Sequence, residues 1–582
     1  MSIMDVRLAV EALDAQLGDP YSSANACSWE QLCRNDEAGE RPHEAEAVLK
    51  EIGVAKAFVP HEFNGLLLQL DRLGHLLRAV FRRDPALGLG FGVTSLMAAA
   101  TIWTAGTAEQ KERAAELLIS GGQIAVAFHE LAHGNDFGAN EVTAWPSESG
   151  FAFAGNKSLI NNADRAELIV VHARTSKNPV NHSLFLLDRT KTAFPAGDYW
   201  RTVGVRGCRL SNISLEGVTL PDSALIGALD GGNSVALRAF QVTRACLPSM
   251  AVGAVDTALR TTAEFAVGRR LYGLSVAEMP YVRQSLVGVF ADLVAADIFS
   301  STAARLLHIE PNQGSLYSAA VKFLVPEVLR EDINILADIL GARFYLRNGK
   351  HAIFQKIMRD FPALVIGHAA QDVCEATLRA QLPVAVRMDD KPNEALQRAI
   401  FDWNIPLGKF DWATLQMGAS GKSALFAALH SGIENRTSVD KELGAIFDEL
   451  LDLSIWLRST VVQMSPRERG LNGSALASAA TKVYARLLAA SACINRSNVC
   501  RSAGQDSGSN LIASDAWLKI ALCGILGYRR FLHTDLVEQL NAVCYEEVYE
   551  ELLSRLSLNS TFDSLASNML PIYNVFSNKI KI

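Results

Sequence analysis

The sequence carries little charge, and what it carries is slightly negative. Its 582 residues are 49% hydrophobic and 20% charged, with a formal net charge of −7. A chain this apolar can bury large cores, which excludes wholesale disorder. The negative balance gives no general attraction to nucleic acid or anionic membranes. We therefore expect a folded protein that binds a small molecule or another protein, and no nucleic-acid role.

Paired cysteines and histidine clusters are also lacking. The nine cysteines are scattered, with no Cys-x-x-Cys pair. This excludes the usual zinc, iron–sulfur and disulfide frameworks, so we expect no metal. Unpaired cysteines fit a reducing compartment and predict a cytoplasmic protein. The opening "MSIMDVRLAVEALDAQ" carries charges within its apolar stretch, which favours a helix over a secretion signal.

One uncharged stretch is about long enough to cross a membrane. It is "PALGLGFGVTSLMAAATIWTAGTA", residues 85–108. The run is rich in Gly, Ala and Thr and is followed directly by the polar "EQKER". We therefore expect a buried helix there and no membrane span.

The pattern along the chain predicts a mainly α protein with a central β domain. Helical patterns fill residues 1–122, and short β-branched and aromatic runs separated by turn residues fill 123–230. Helical periodicity returns over 231–395, where it predicts a bundle, and over 396–582, where it predicts a helical extension. Two apolar stripes at helical spacing support the last two assignments: Leu286, Val289, Phe290, Leu293 and Val294, and Leu443, Ile446, Phe447, Leu450 and Leu451.

Seven local motifs resemble, in order and spacing, those of the flavin-dependent acyl-CoA dehydrogenases. They are "GTAEQKERAAELLISGG" (106–122), "AFHELAHGNDFGANEVTA" (127–144), "GNKSLINNADRAELIVVHAR" (155–174), "VGVRGCRLSNISLEGVTLP" (203–221), "FQVTRACLPSMAVGAVDTAL" (240–259), "GRRLYGLSVAE" (268–278) and "MRDFPALVIGH" (358–368). Together they span about residues 40–395. Residues 396–582 are similar in length and helical character to the C-terminal extension of the longer family members.

The resemblance implies a fold, a cofactor and a reaction. The fold is a helical domain, a β domain and a helical bundle, with FAD at their junction and at a subunit interface. The protein would then be a homodimer or homotetramer. The reaction is α,β-dehydrogenation of an acyl thioester, on CoA or on an acyl-carrier protein, with an electron acceptor that the sequence does not identify. A base takes the α-proton and the β-hydride goes to flavin N5.

The resemblance also implies site residues. Arg269 would pair with the FAD pyrophosphate, because a guanidinium matches phosphate geometry. Thr243 and Arg244 fall near the thioester end of the substrate pocket. The full cofactor set is Phe128, His129, Glu130, Asn135, Leu159, Asn161, Arg269, Tyr272 and Gly341.

Several of these positions depart from the family pattern. Leu159 replaces the flavin-stacking tryptophan and offers no aromatic face, whereas Asn161 replaces a threonine and can still donate or accept a hydrogen bond. The Gly-Gly-x-Gly motif has become "GARFY", 341–345, with Asp338 and Pro280 at positions where glutamine is expected. Flavin binding is therefore expected to be weakened or reshaped.

The catalytic carboxylate is the largest departure. His368 falls on the position of the usual glutamate, and the alternative carboxylate position in the family holds Thr243. A neutral imidazole with a pKa of about 6.5 can accept a proton near neutral pH. His368 is thus the candidate base, and Asp372, four residues on, could share a helical face with it and orient the ring or act itself.

Three functions remain open at this stage. The first is FAD-dependent oxidation of an acyl thioester in a specialised pathway. The second keeps the fold and the flavin but uses oxygen, as a monooxygenase or oxidase. The third is a non-catalytic family member that acts in binding or assembly.

Overall fold

The structure is a computed structural model. It describes residues 3–178, 181–192, 194, 196–367, 369–387, 393–419, 421–470, 472–503, 510–527 and 542–566. His368, the candidate base, lies outside the described residues.

The N-terminal region is helical. Its helices are α1 (Ile3–Leu17), α2 (Trp29–Ala38), α3 (His43–Ile52), α4 (Leu70–Arg83), α5 (Pro85–Leu87), α6 (Thr94–Ala105) and α7 (Ala108–Ile119). Local sequence sets several of these ends. Asp84 accepts a hydrogen bond from Ala86 N at 2.8 Å at the start of α5, and Thr107 and Gln110 form a reciprocal capping box at the start of α7.

Two helical stretches are long and apolar enough to span a bilayer, Pro85–Ala105 and Pro280–Ile309. Both are core helices by their packing, since 83% of the most apolar window of the first and all of the second are buried inside the protein. The expectation of a buried helix over 85–108 is therefore confirmed.

The central region is built from two sheets. Its strands are β1 (Ile124–Ala127), β2 (Thr143–Ser147), β3 (Gly150–Ala154), β4 (Asn156–Ile160), β5 (Leu168–Arg174), β6 (His182–Asp188), β7 (Ala196–Tyr199), β8 (Ser211–Ser214), β9 (Thr219–Leu220) and β10 (Leu225–Ile226). The larger sheet has the order β10-β6-β5-β2-β3-β9 with β1 parallel to β5, and the smaller has the order β4-β8-β7. The predicted central β domain is confirmed.

A helical bundle follows, with a small hairpin in its first connection. The helices are α8 (Gly232–Gly268), α9 (Pro280–Ile309), α10 (Gly314–Leu340), α11 (Ala352–Ile366) and α12 (Gln371–Ala385), and the hairpin is β11 (Arg270–Leu271) with β12 (Leu274–Ser275). The predicted stripe on α9, from Leu286 to Val294, is buried at all five positions.

The C-terminal region is again helical. Its helices are α13 (Glu394–Phe401), α14 (Ala424–Glu434), α15 (Lys441–Gln463), α16 (Ala475–Ser502), α17 (Asn510–Ala513), α18 (Asp515–Leu526) and α19 (Ala542–Ser557). On α15 the predicted stripe is buried at Leu443, Ile446, Phe447 and Leu450, and Leu451 is half-buried. We propose 122, 230 and 395 as the domain limits, since the first two fall between the helical and strand-rich parts.

A buried ionic network ties these parts together around Arg78 on α4. Its guanidinium donates to Asp297 on α9, to Asp563 beyond α19 at 2.9 Å, and to the Ser249 carbonyl of α8 at 3.0 Å. Burial opposes ionisation of Asp297 and Asp563, but the arginine beside them holds the pKa of both carboxyls below its usual range. One side chain thus joins the N-terminal domain, the bundle and the C-terminal region.

Replacing Asp563 by alanine is expected to destabilise the fold strongly. The change leaves Arg78 buried with one carboxylate fewer, and breaking a buried ion pair costs about 3–5 kcal/mol. Because the folded pKa of Asp563 lies below the unfolded value of about 3.9, its contribution is present above that pH and is lost as the pH falls. Urea unfolding at pH 7 measures the first effect, and the same measurement at about pH 2, well below the unfolded pKa, measures the second.

The matched control is Glu62→Ala, which breaks the exposed Lys409–Glu62 pair of 2.8 Å. It should leave the urea midpoint almost unchanged, because exposed pairs contribute little. Equal decreases in the free energy of unfolding of the two variants would contradict a central role for the ionic network.

Candidate active site

The candidate site begins at the carboxyl end of β1. This strand pairs in parallel with β5, Ile124 opposite Leu168 through Ala127 opposite Val171, so the chain leaves the sheet at Phe128. The Phe128 carbonyl accepts a hydrogen bond from Asn140 Nδ2 at 2.7 Å, which closes the loop that follows. The loop also contacts β4: the His129 carbonyl accepts a hydrogen bond from Ser158 N at 2.9 Å, and His129 Nδ1 lies 3.1 Å from the Ser158 carbonyl.

Glu130 holds that loop in place through a buried ion pair. Its carboxylate accepts from Lys157 Nζ at 2.7 Å and from the backbone amides of Glu141 and Val142 at 2.7 and 3.1 Å. Burial lowers the pKa of Lys157 to about 8, against the opposing effect of Glu130. The Glu130 side chain is therefore engaged in positioning the loop, and Asn135 lies on its exposed turn.

Strand β4 ends in a turn that places Leu159 and Asn161 beside the N-terminal helices. Leu159 has a left-handed backbone, with φ of 56°. Asn161 donates from Nδ2 to Thr94 Oγ1 at 2.8 Å, whereas its Oδ1 is buried and accepts no hydrogen bond within the described residues. An orphaned buried acceptor costs free energy and marks a position where a ligand donor fits.

The β-domain loop meets the bundle through aromatic rings. The ring centroids of Phe128 and Phe240 on α8 lie 5.2 Å apart, and Phe137 contacts both at 6.1 Å. Thr243 and Arg244 follow within about one turn of α8 and are buried. The structure thus brings the predicted cofactor loop and the predicted substrate helix together.

Behind the rings lies a buried histidine pair that was not foreseen from the sequence. His172 and His182 stack with centroids 4.5 Å apart, and Phe128 contacts His172 at 5.0 Å. His172 Nε2 donates to Asn233 Oδ1 at 2.8 Å, and Nδ1 accepts from Asn140 at 3.2 Å. Burial, with Lys157 nearby, holds the pKa of His172 well below its usual value, so the ring is neutral. Pairing of β5 with β6 brings both rings to one face, a signal that only the strand register provides.

Two buried cations, Lys322 and Arg244, lie near each other, and Lys322 contacts the end of α11. Lys322 on α10 donates to the carbonyls of Leu364 and Val365 at 2.6 and 2.8 Å, which satisfies the last turn of that helix. Burial lowers the pKa of Lys322 to about 8, with Cys374 opposing and Arg244 reinforcing the shift. This lysine was also missed, because nothing in its spacing distinguishes it from a solvated charge.

The expectation that Asp372 continues a helix from the candidate base is wrong. Helix α11 ends at Ile366 and α12 starts at Gln371, with Gly367 in an extended conformation. Asp372 is exposed in the first turn of α12. The C-cap of α11, Gly367, and the N-cap of α12, Ala370, both have extended backbones, so Asp372 belongs to a new helix and the i, i+4 relation does not hold.

The remaining predicted cofactor residues lie at the far end of the bundle. Arg269 and Gly341 are exposed, and Tyr272 at the tip of the β11–β12 hairpin is 97% exposed. Two contacts hold this group around the end of α8. Ser275 Oγ, on the hairpin that carries Tyr272, donates to the Ala266 carbonyl, and Arg343, two residues after Gly341, lies over the Phe265 ring at 5.6 Å. The structure gives no contact between this group and Phe128 within the described part of the chain.

Replacing Lys157 by methionine is expected to loosen the loop after Glu130. Amide hydrogens of residues 131–139 should exchange faster at pH 7, because Glu130 loses its cation. In the native protein the same loosening should develop as the pH rises through about 8, where Lys157 loses its proton, and it should be absent in the variant. Hydrogen exchange corrected for intrinsic rates measures this.

Lys177→Met, which removes an exposed lysine of the same region, should leave exchange in the loop unchanged. Unchanged protection in Lys157→Met would show that the ion pair does not hold the loop.

Comparison with known proteins gives an independent view. Three successive family models match: the acyl-CoA dehydrogenase N-terminal domain over residues 29–122, the middle domain over 125–218 and the C-terminal domain over 230–381. A 3-(aryl)acrylate reductase of Clostridium sporogenes is 23% identical over 350 residues, which are 60% of this chain and 92% of that protein. An L-prolyl peptidyl-carrier-protein dehydrogenase of Serratia is 26% identical over 240 residues, which are 40% and 62%.

The fold match extends beyond these domains. The solved structure of a Bacillus anthracis acyl-CoA dehydrogenase complexed with FAD has a TM-score of 0.71 at 15% identity, covering 96% of this chain and 97% of that one. The predicted resemblance of residues 396–582 to the extension of longer members is thereby supported at the level of fold. Since its N-terminal, middle and C-terminal domain models match in order, the chain belongs to the acyl-CoA dehydrogenase family.

Proposed function

We propose that this protein is an FAD-dependent oxidoreductase that oxidises an acyl thioester at its α,β bond. The observation that carries this is the contact of Phe128 with Phe240 at 5.2 Å, which joins the predicted cofactor loop to the predicted substrate helix. The similar proteins named above include a reductase of arylacrylates and a dehydrogenase of a prolyl carrier protein. We therefore propose a specialised pathway, with the acyl group on CoA or on a carrier protein.

The residues around Asn161 fit a flavin. Its buried Oδ1 needs a donor, and a flavin ring offers N–H groups as well as acceptors. We propose that the ring is held by Phe128, His129, Leu159 and Asn161. Glu130 then has an indirect role, because its ion pair with Lys157 fixes the loop that follows β1. Bound FAD supplies the hydride acceptor of the oxidation.

Charge around the substrate helix supports the deprotonation half of the reaction. Removing an α-proton places negative charge on the thioester oxygen, and buried cations stabilise such charge more than exposed ones. Arg244 and Lys322 are both buried cations. We propose that they provide this stabilisation, with Thr243 lining the same pocket.

We propose His368 as the base. Thr243 cannot replace it, because its hydroxyl is un-ionised and donates to the Phe240 carbonyl at 3.2 Å. Asp372 is exposed and lies on a separate helix, so it is the second candidate. A neutral imidazole is the form that accepts a proton.

An anaerobic visible titration of the FAD-supplemented protein with acyl-CoA and acyl-carrier-protein thioesters tests the proposal. Bleaching of the flavin by one substrate is expected. A flavin that binds and stays oxidised with every thioester, together with oxygen consumption, would favour the oxygen-using alternative. A protein that never holds FAD would favour a binding role.

His368→Ala should slow flavin reduction by about 100-fold or more, because general base catalysis contributes on that order. FAD affinity should stay unchanged. His43→Ala, an exposed histidine on α3, is the matched control and should reduce normally. Full activity in His368→Ala combined with loss in Asp372→Asn would transfer the role of base to the carboxylate.

We propose further that the protein is a homo-oligomer that uses the far end of the bundle. Large apolar side chains are exposed there, led by Tyr272 at 97%: Leu271, Leu274, Tyr281, Tyr345 and Leu346. Such a patch is larger than scattered surface residues explain. Arg269 and Gly341 lie in the same area, which fits cofactor binding across a subunit interface.

Tyr272→Asp should shift the protein from oligomer to monomer in light scattering after gel filtration. A buried unpaired carboxylate is costly in an apolar interface. Val462→Asp, which adds a carboxylate at an 80% exposed position of α15, is the control. A native protein that is monomeric at micromolar concentration would contradict the proposal.

The nine cysteines are all free and buried, which supports the proposed cytoplasmic location.

A further inference from the structure

A cavity of about 520 Å³ lies away from the candidate active site. It is formed by the end of α2, the end of β7 with its following turn, and the segment after α10. None of the residues that line it belongs to the site described above. Its volume is in the range of pockets that hold small molecules.

The lining of this cavity is strongly basic. Four arginines face it, Arg201, Arg206, Arg209 and Arg347, against one carboxylate, Glu37. Arg347 already forms a two-point pair with Glu37, with Nε 2.6 Å from Oε1. Arg206 Nη1 forms two long ion pairs, with Glu37 Oε2 at 3.9 Å and with Asp36 Oδ2, behind the lining, at 4.0 Å. Three guanidinium charges therefore exceed what the lining balances, in a chain whose net charge is −7.

Aromatic rings form one wall of the cavity. Tyr199 and Trp200 are 41% and 40% exposed. Both are held rigidly, since Tyr199 Oη donates to Asp164 at 2.7 Å and Trp200 Nε1 donates to Asn212 at 2.8 Å. The Arg209 guanidinium lies over the Tyr199 ring at 3.7 Å, and its Nε is buried without a hydrogen-bond partner among the described residues.

The turn that presents Arg206 and Arg209 is itself fixed. Val205 and Arg209 both have left-handed backbones, with φ of 48° and 50°, an uncommon conformation that is costly for a β-branched residue. It is held by Asp360 of α11, which accepts a hydrogen bond from Val205 N at 2.6 Å. The arginines are thus preorganised by contacts from another helix.

We propose that this pocket binds a nucleoside diphosphate. Guanidinium forks match phosphate oxygens in two-point geometry, and an exposed tryptophan beside them offers a stacking surface for a base. A concave, rigid site of this volume suits a small ligand better than the flat surface typical of a protein partner. The inference does not rest on the proposed oxidation.

Isothermal titration of the FAD-saturated full chain with ADP tests the proposal. Saturation with FAD keeps ADP out of the cofactor site. Binding of one ADP per chain is expected. Arg201→Glu should weaken it by about tenfold or more, because a charge in contact with phosphate is reversed. Arg201 is exposed, so this variant should fold normally, which its unfolding midpoint checks.

Arg330→Glu, an exposed arginine on α10 outside the cavity, is the matched control and should bind ADP as the native chain does. Inorganic pyrophosphate should bind more weakly than ADP, since it cannot use Trp200. Absence of saturable ADP binding, or binding that Arg201→Glu leaves unchanged, would overturn the proposal. Pyrophosphate binding as tight as that of ADP would overturn the nucleoside part.

Discussion

The buried guanidinium of Arg78 is the constraint on which the arrangement of domains depends. A charge removed from water must be met by opposite charge and hydrogen bonds, and here these come from Asp297, Asp563 and Ser249. Only one relative placement of α4, α8, α9 and the C-terminal segment satisfies all of them. Ser249 lies nine residues beyond Phe240, about 13 Å along α8. The network therefore fixes the helix that also carries the candidate active site.

The sequence predicted elements better than it predicted what joins them. The stripes on α9 and α15 and the runs of β5 and β6 were recognised because apolar periodicity survives in a single chain. The network was missed because charged residues such as Arg78 and Arg82 are ordinarily exposed, and both are buried here. The partners of Arg78, Asp297 and Asp563, lie 219 and 485 residues further along the chain, and no local pattern encodes such contacts.

In the candidate site, too, the sequence identified some residues and missed the contacts that hold them. Resemblance predicted Phe128 and Asn161 as cofactor residues, but the contacts of Lys157, His172 and Lys322 came only from the fold. Lys157 sits within a quoted motif, yet its partner Glu130 lies 27 residues away on the loop after β1, and no local spacing encodes that contact. The shared helical face of residues 368 and 372 failed for a local reason, the break after Ile366. Tyr272 and Arg269 are exposed at the far end of the bundle, where we propose that a second subunit binds.

Electrostatics gives a reason why a histidine can stand in place of a glutamate here. Lys322 caps the Val365 carbonyl at the end of α11, and Arg244 lies close enough to reinforce the lowering of the lysine's pKa. A carboxylate near Lys322 and Arg244 would be stabilised in its charged form and become a weaker base. Cations would lower the basicity of an imidazole as well, but a neutral base leaves their charge available to the thioester oxygen as the α-proton departs. In the mechanism that we propose, a histidine in place of the glutamate therefore leaves positive charge free to stabilise the transition state.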